Sequence, residues 1–181
     1  MVGETRVEEL DDFDELVRLH RPRIFRFLLA SLRNRETAEN LTQDCFVRAY
    51  QARSQFRGAS SIGTWFMTIA ANLVRHHESS NRLKFWRRSL EADADLTDLG
   101  SAIADQQQSP EALALIQEQV RAIWIAAATL PPRQRTVFLL RFVEDMDLLE
   151  IAEVTGMKEG TVKTHLFRGL QSVRARLEGT K

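Results

Sequence analysis

Apolar residues recur at intervals of three and four along most of the chain, which is the spacing of amphipathic α-helices. Stretches that alternate apolar and polar residues, the pattern of half-buried strands, are scarce. We therefore predict an all-α fold. The clearest apolar series follows Ser61 and consists of Ile62, Trp65, Phe66, Ile69, Ala70 and Leu73.

Three helices are predicted in the N-terminal part of the chain, over about 13–34, over about 35–56 and from Ser61 onward. Pro22 lies inside the first of them, where its missing N–H and its ring should kink or divide the helix. The inward stripes of the first two helices are expected to be Phe13, Leu16, Val17, Ile24, Phe27, Leu28 and Leu32, and then Ala38, Leu41, Cys45 and Ala49.

Two polar helix faces and one loop are candidate surfaces for binding a partner. The loop QFRGASSIG contains Phe56 and Arg57, and loops held on a rigid scaffold often carry recognition, although a plain surface loop is the alternative. On the second helix the outward residues are Asn40, Gln43, Asp44, Val47 and Arg48, and on the third they are Thr64, Met67, Thr68, Ala71, Asn72, Arg75 and His76.

The C-terminal part has sharper boundaries. A Ser-Pro pair at 109–110 predicts an N-cap and a first helical residue, and the prolines at 131–132 should end that helix. A second helix is expected over 132–144, and a third begins with Asp147 and Glu150 at capping-box spacing. The stripe of the first of these helices is Leu113, Ile116, Val120, Ile123 and Ala127.

A tight turn follows, at helix-turn-helix spacing. Gly156 stands four residues after Ala152 and permits a positive φ, and Val162, six residues further on, should anchor the next helix in the core. The second helix of such a motif lies in the major groove of DNA. A three-helix unit with an incidental basic face is the alternative. The outward residues are Thr161, Lys163, Thr164, His165 and Arg168.

The formal net charge of zero conceals a sorting of charges into blocks. Counted along the sequence, the net charge is −4 over residues 1–12, +8 over 13–88, −6 over 89–130 and +2 over 131–181. Residues 93–110 have linker composition. Two helical bodies that meet an anion, with a flexible acidic linker between them, explain this order, and nucleic acid is the obvious anion. An unevenly charged solvated surface is the alternative.

Other classes of protein fit less well. The longest apolar run, 122–130, is far shorter than the roughly 20 residues of a membrane span, and the acidic N-terminus is unlike a signal peptide, so we expect a cytoplasmic protein without membrane insertion. The single cysteine, Cys45, provides neither a disulfide nor a zinc cluster. Adjacent His76 and His77, before Glu78, point about 100° apart on a helix and do not readily share a metal ion. We expect no catalytic residue, metal or cofactor.

Three segments resemble a known family. The segment LPPRQRTVFLLRFVEDMDLLEIAEVTGMKEGTVKTHLFRGL resembles region four of the extracytoplasmic-function (ECF) sigma factors of the sigma-70 family. AENLTQDCFVRAY resembles the region-two helix that grips the clamp helices of RNA polymerase, and FRGASSIGTWFMTIAANLV resembles the loop and helix that open the minus-ten element. GTVKTHL is also similar to LuxR-type regulators, so the N-terminal segments decide the comparison.

The resemblance implies an acidic tail at 1–12, region two at 13–88, a linker at 89–109 and region four at 110–178. Such a protein would bind the clamp helices and flap of RNA polymerase core, recognise the minus-35 and minus-10 promoter elements and promote strand opening, without chemistry of its own. It also implies an anti-sigma factor as a partner. A stand-alone helix-turn-helix regulator is the alternative.

The resemblance also assigns residues to three surfaces. The polymerase-binding residues are expected to be Asn40, Leu41, Gln43, Asp44, Val47 and Arg48. The minus-10 residues are expected to be Phe56, Arg57, Ser60, Ser61, Thr64, Thr68, Asn72 and Arg75. The minus-35 residues are expected to be Lys158, Glu159, Thr161, Lys163, Thr164, His165 and Arg168.

Six positions depart from the family pattern, among them His165 and Phe167, which replace commoner basic residues. Asn40 replaces one acid of a usual pair, and Thr68 and Ala71 stand where arginines are common. Lys158 stands where the family usually has a serine that caps the recognition helix. Because a lysine at a helix N-terminus opposes the dipole, we expect a DNA phosphate to hold it there.

Overall fold

The computed structural model describes residues 12–85 and 110–179, without the side chains of 81–85 and 110–117. The predicted linker and the predicted tail, apart from Asp12, lie outside the described residues. Within them every regular element is helical, which confirms the all-α prediction. The helices are α1 (Phe13–Leu32), α2 (Arg35–Ala52), α3 (Ile62–Phe85), α4 (Pro110–Ala128), α5 (Pro132–Phe142), α6 (Leu148–Thr155) and α7 (Glu159–Glu178), with a 3-10 turn at Arg53–Gln55.

Helix α1 continues through Pro22, so the expectation that this proline divides the helix is wrong. The carboxylate of Asp12 caps its first turn by accepting from the backbone N–H of Glu15 at 3.0 Å. The helix ends at Arg33, where a left-handed φ of 55° turns the chain. Helix α2 starts at once, because Asn34 caps it through the N–H of Thr37 at 2.8 Å.

The N-terminal unit, α1 to α3, packs around the fully buried ring of Phe66. Four rings surround it at centroid distances of 5.1–6.2 Å, three of them edge-on and one stacked. This cluster ties all three helices together. The four rings are those of Phe13, His20, Phe46 and Trp65.

The C-terminal unit, α4 to α7, contains the predicted helix-turn-helix. Asp147 and Glu150 form the capping box, with reciprocal bonds of 2.8 Å to each other's backbone N–H. Gly156 has a φ of 68°, and Val162 is fully buried, so both predictions are confirmed. The predicted cap of α4, Ser109, lies outside the described residues.

The two units pack against each other, α1 on α5 and α3 on α5 and α6. This contact corrects the expectation that the second face of α3 is exposed, because Thr64, Met67 and Ala71 are only 5, 0 and 7% exposed. Small and polar side chains would suit the recognition of a partner, but they also allow two helices to pack closely. Among the described helices, none combines the length and apolar character that crossing a bilayer requires.

Candidate nucleic-acid interface

The outward face of α2 is a mixed polar and apolar surface. Val47 is 53% exposed, although it is a β-branched apolar residue on a polar face. Beside it Arg48 and Asp44 form an ion pair at 2.9 Å with both side chains accessible. Of the six residues predicted for this surface, Asn40, Gln43, Val47 and Arg48 are exposed, and Leu41 and Asp44 are half-buried.

Tyr50 belongs to the same face, and sequence reasoning missed it. Its ring is half exposed, lies 3.8 Å below the guanidinium carbon of Arg53 and meets Phe13 edge-on at 5.2 Å. The cation and the edge contact hold the ring in place while leaving part of it accessible. Tyr50 stands three residues after Val47 and seven after Gln43, a spacing that places all three on one helix face. This spacing could have identified Tyr50 from the sequence.

The loop before α3 is held by its own side chains. The Ser61 hydroxyl accepts from the N–H of Thr64 at 3.1 Å and lies 2.9 Å from the Thr64 hydroxyl, so Ser61 caps α3. Phe56 stacks obliquely on Trp65 at 5.0 Å. Arg57 is exposed and Ser60 is half-buried. The loop therefore presents a basic side chain from a fixed backbone.

Further along α3, two residues predicted for minus-10 contact face the C-terminal unit. Asn72 and Arg75 line a cleft of about 230 Å³ between the units, together with Ala71 and Glu78. The opposite wall comes from α5 and the helix-turn-helix turn and consists of Pro132, Arg133, Thr136, Val154, Thr155, Gly156 and Met157. In this arrangement the C-terminal unit restricts access to the middle of α3.

The recognition helix α7 begins without a side-chain cap, because its N-cap residue is Lys158. Its first backbone N–H groups are therefore open to an anion. Lys163 pairs with Glu159 at 2.6 Å, one turn apart. The Thr164 hydroxyl donates to the carbonyl of Gly160 at 2.9 Å. The residues of this helix exposed to solvent include Thr161, Lys163, Thr164 and Arg168.

His165 is a half-buried exception on this basic face. Burial lowers the pKa of its imidazole, and the charges of Arg133 and Arg168 lower it further. Its Nδ1 is buried and meets no hydrogen-bond partner among the described residues. The two arginine charges beside His165 make this site positively charged, which would favour an anion there.

The C-terminal unit also has an apolar groove of about 500 Å³ between α4, α5 and α7. The groove is lined in part by Ile123, Phe142 and Leu170, which are 38, 52 and 39% exposed. Ile123 was predicted to face inward, and it does lie on the stripe of α4, but the stripe is only partly covered. Phe142 packs on Phe138 at 4.8 Å and was not singled out from the sequence.

The comparisons with known proteins agree with this division. The family model for Sigma-70 region 2 matches residues 16–83, and that for Sigma-70, region 4, matches residues 121–173. The ECF RNA polymerase sigma factor SigX of Bacillus subtilis is 30% identical over 155 residues, covering 86% of this chain and 78% of SigX. The chain belongs to the ECF sigma factors. SigW of the same organism is 26% identical over 176 residues, covering 97% of this chain and 94% of SigW.

The fold agrees with the family as well. The sigma factor RpoE of Bartonella quintana, solved with the anti-sigma factor NepR, superposes with a TM-score of 0.70, covering 92% of this chain and 97% of RpoE. At 20% identity this match shows the fold alone. The segment matched by region 2 lies within α1 to α3, and the segment matched by region 4 runs from the second half of α4 into α7. The chain is a transcription initiation factor of the sigma type.

The residues considered for enzymatic or metal chemistry have other surroundings. Burial raises the pKa of the Cys45 thiol to about 12, and its Sγ donates to the carbonyl of Phe66 at 3.6 Å. A thiol in this state is a poor nucleophile. The described part of the chain contains no group of three His, Cys, Asp or Glu side chains placed to hold a metal ion.

Proposed function

We propose that this ECF sigma factor binds RNA polymerase core through the outward face of α2 and places its two units on the two promoter elements. The proposal rests on the order of the two candidate binding surfaces along the chain. An accessible mixed face on α2 and an uncapped basic recognition helix occur in one chain, within the segments that match regions 2 and 4.

The polymerase contact would use the residues predicted from sequence, with Tyr50 added. A half-exposed aromatic ring beside an exposed valine provides apolar contact area, and the Asp44–Arg48 pair provides directional hydrogen bonds. The proposed set is Asn40, Leu41, Gln43, Asp44, Val47, Arg48 and Tyr50.

The minus-10 contact would use the loop and the cleft side of α3. Strand opening costs a few kcal/mol per unstacked base, and capture of a flipped base beside Phe56 and Asn72 would offset part of that cost. Arg57 and Arg75 would meet phosphates. Ser61 and Thr64 would act through the loop that they hold in place. Ser60 and Thr68 complete the proposed set.

The minus-35 contact would use the first two turns of α7 in the major groove, where N-terminal residues of a recognition helix meet base edges. Lys158 at the open helix N-terminus would meet a phosphate. Glu159 would position Lys163, with which it is paired. The remaining members of the set are Thr161, Thr164, His165 and Arg168.

Two further partners follow from the same reasoning. The apolar groove of the C-terminal unit has the size and character to receive the polymerase flap. The complex of Bartonella quintana RpoE with NepR supports an anti-sigma factor as a regulator of this chain. The chain would perform no chemistry of its own, because RNA polymerase would catalyse RNA synthesis. It would act in the cytoplasm, where it would meet the polymerase and promoter DNA.

The proposal is tested by titrating labelled chain with RNA polymerase core that lacks any sigma factor. We expect binding at roughly nanomolar Kd, about −12 kcal/mol, and a loss of at least about tenfold when Gln43 and Asp44 are both changed to Ala. The matched control is Glu118→Ala with Gln119→Ala. These two are also an adjacent acid and amide, and they are exposed on α4.

Two results would contradict the proposal in different ways. Equal weakening by both double variants would remove α2 as the contact surface. A chain that does not bind core but still binds duplex DNA would be a stand-alone helix-turn-helix regulator.

A further inference from the structure

A buried carboxylate joins the two units. Glu144 lies two residues after the end of α5, and its side chain has no exposed surface. Arg23 Nε donates to its Oε2 at 2.8 Å, and Arg26 Nε and Nη2 donate to Oε1 and Oε2 at 3.2 and 3.3 Å. Arg23 Nη2 also donates to the Glu144 backbone carbonyl at 3.0 Å. Both arginines lie on α1, in the other unit.

The geometry accounts for the burial of this charge. A carboxylate removed from water is costly unless it is paired and its lone pairs are satisfied, and here two guanidinium groups supply three bonds to it. Separation of the units would remove all of these partners at once. The contact between the units is therefore specific to one relative placement.

A second ion pair crosses the same interface near the cleft. Arg135 on α5 pairs with Glu78 on α3, with side chains 17 and 21% exposed, and its Nη1 donates to the carbonyl of Ala128 at 3.2 Å. Three ion pairs thus cross the contact, two of Glu144 with α1 and one of Arg135 with α3. We call the Glu144 cluster with Arg23 and Arg26 the latch.

We propose that the latch holds the free chain in a closed state in which the C-terminal unit covers the promoter-binding side of α3. The assignment of that side to promoter DNA rests on the proposed function, whereas the latch itself does not. In the closed state Ala71 and Asn72 face α5 and the turn of the helix-turn-helix across the cleft of about 230 Å³. Partners that need this surface bind only the open fraction.

The consequence for binding is quantitative. The apparent Kd of a ligand of the covered surface equals its intrinsic Kd divided by the open fraction. Weakening the latch therefore tightens such binding without a new contact, and RNA polymerase core, which would engage both units, favours opening. The closed state is a built-in restraint on promoter binding by the free chain.

The test measures how often the cleft opens. Ala71 is replaced by Cys, and the rate at which a thiol reagent labels the full chain is followed. Ala71 is 7% exposed and lines the cleft, so the new thiol reports separation of the units. Cys45 is fully buried and its pKa is raised to about 12, so the unsubstituted chain provides a slow background rate.

Two variants weaken the latch from opposite sides, Glu144→Gln and Arg23→Gln with Arg26→Gln. Each should raise the labelling rate of the reporter by at least about tenfold. The matched control is Asp145→Asn, which removes one negative charge at the next residue, where the side chain is 99% exposed. Asparagine tolerates the positive φ of 51° at that position. The control should label at the rate of the unsubstituted reporter.

The outcomes separate cleanly. Faster labelling in both latch variants, with an unchanged control, supports the latch. Labelling within about twofold of the parent in both would overturn it, because the units then part without regard to these bonds. Acceleration by Glu144→Gln alone would also overturn it, since that pattern indicates local loosening of the helix-turn-helix. The measurement needs neither polymerase nor DNA, so it can fail while the proposed function stands.

Discussion

At the scale of single residues, we predict that His165 makes a pH-dependent contact with DNA. In the free chain burial and two arginine charges hold the pKa of His165 below 6.5, so the ring is neutral at pH 7. A neighbouring phosphate favours the imidazolium and raises that pKa. The complex then binds more protons than the free chain, and affinity for DNA rises as the pH falls through the pKa in the complex.

We predict that binding to a random-sequence duplex at low salt tightens a few-fold between pH 8 and about pH 6, and that His165→Gln removes most of this dependence. Fluorescence anisotropy at constant ionic strength measures it. His76→Gln is the control, because His76 lies on α3 and not on the recognition helix α7. An unchanged pH dependence in His165→Gln would exclude the ring from the contact.

At the scale of elements, the turn before α7 depends on one backbone conformation. Gly156 has a φ of 68°, and a Cβ added there meets no atom within 4 Å. Gly156→Ala should therefore cost roughly 1–2 kcal/mol of unfolding free energy from backbone strain alone. Gly156→Asn should cost less, because asparagine tolerates the left-handed region.

The matched control is Gly160→Ala, inside α7, where a Cβ also meets no atom within 4 Å. It should not destabilise the chain and should stabilise it by up to about 0.5 kcal/mol, because alanine replaces glycine in the first turn of the helix. Urea unfolding followed by circular dichroism measures all three variants. Destabilisation by Gly160→Ala equal to that by Gly156→Ala would mean that side-chain bulk, not φ, decides at the turn.

A second prediction concerns the N-terminus of α7. Lys158 is the N-cap and supplies no side-chain hydrogen bond to the helix. Lys158→Ser should stabilise the free chain by about 1 kcal/mol through a new cap. It should also flatten the dependence of log K on log salt for duplex binding by about one unit, because one phosphate contact is lost. An unchanged salt slope would show that Lys158 meets no phosphate.

The elements themselves were largely predictable, because their signals are local. The capping box, the left-handed glycine and the buried Val162 all depend on residues within a few positions of one another. The end of α2 was less predictable. There a 3-10 turn replaces the last predicted helical turn, and Phe56 leaves the helix to pack on Trp65, a contact that helical periodicity does not encode.

At the scale of the whole molecule, the packing of the two units could not be predicted from the sequence. Glu144 is 121 and 118 residues from Arg23 and Arg26, and nothing in the spacing of charges pairs them. Periodicity identified a small, polar second face on α3 but not its neighbour. The same side chains suit a DNA strand or a packed helix, and in this structure α6 lies against that helix.

This packing predicts cooperative unfolding of the full chain. Each unit is small and has a limited core of its own, so we expect the buried contact between them to add to the stability of both. The full chain should therefore show one calorimetric transition, with the calorimetric enthalpy close to the van 't Hoff enthalpy.

Glu144→Gln keeps the shape of the side chain but removes the charge that both arginines bind. It should lower the unfolding free energy by at least about 1 kcal/mol and broaden or divide the transition, because the units become independent. Asp145→Asn, with its side chain in solvent, should melt like the parent. A single sharp transition in Glu144→Gln, merely shifted to lower temperature, would mean that apolar contacts between the helices couple the units and that the carboxylate only adds stability to a joint body.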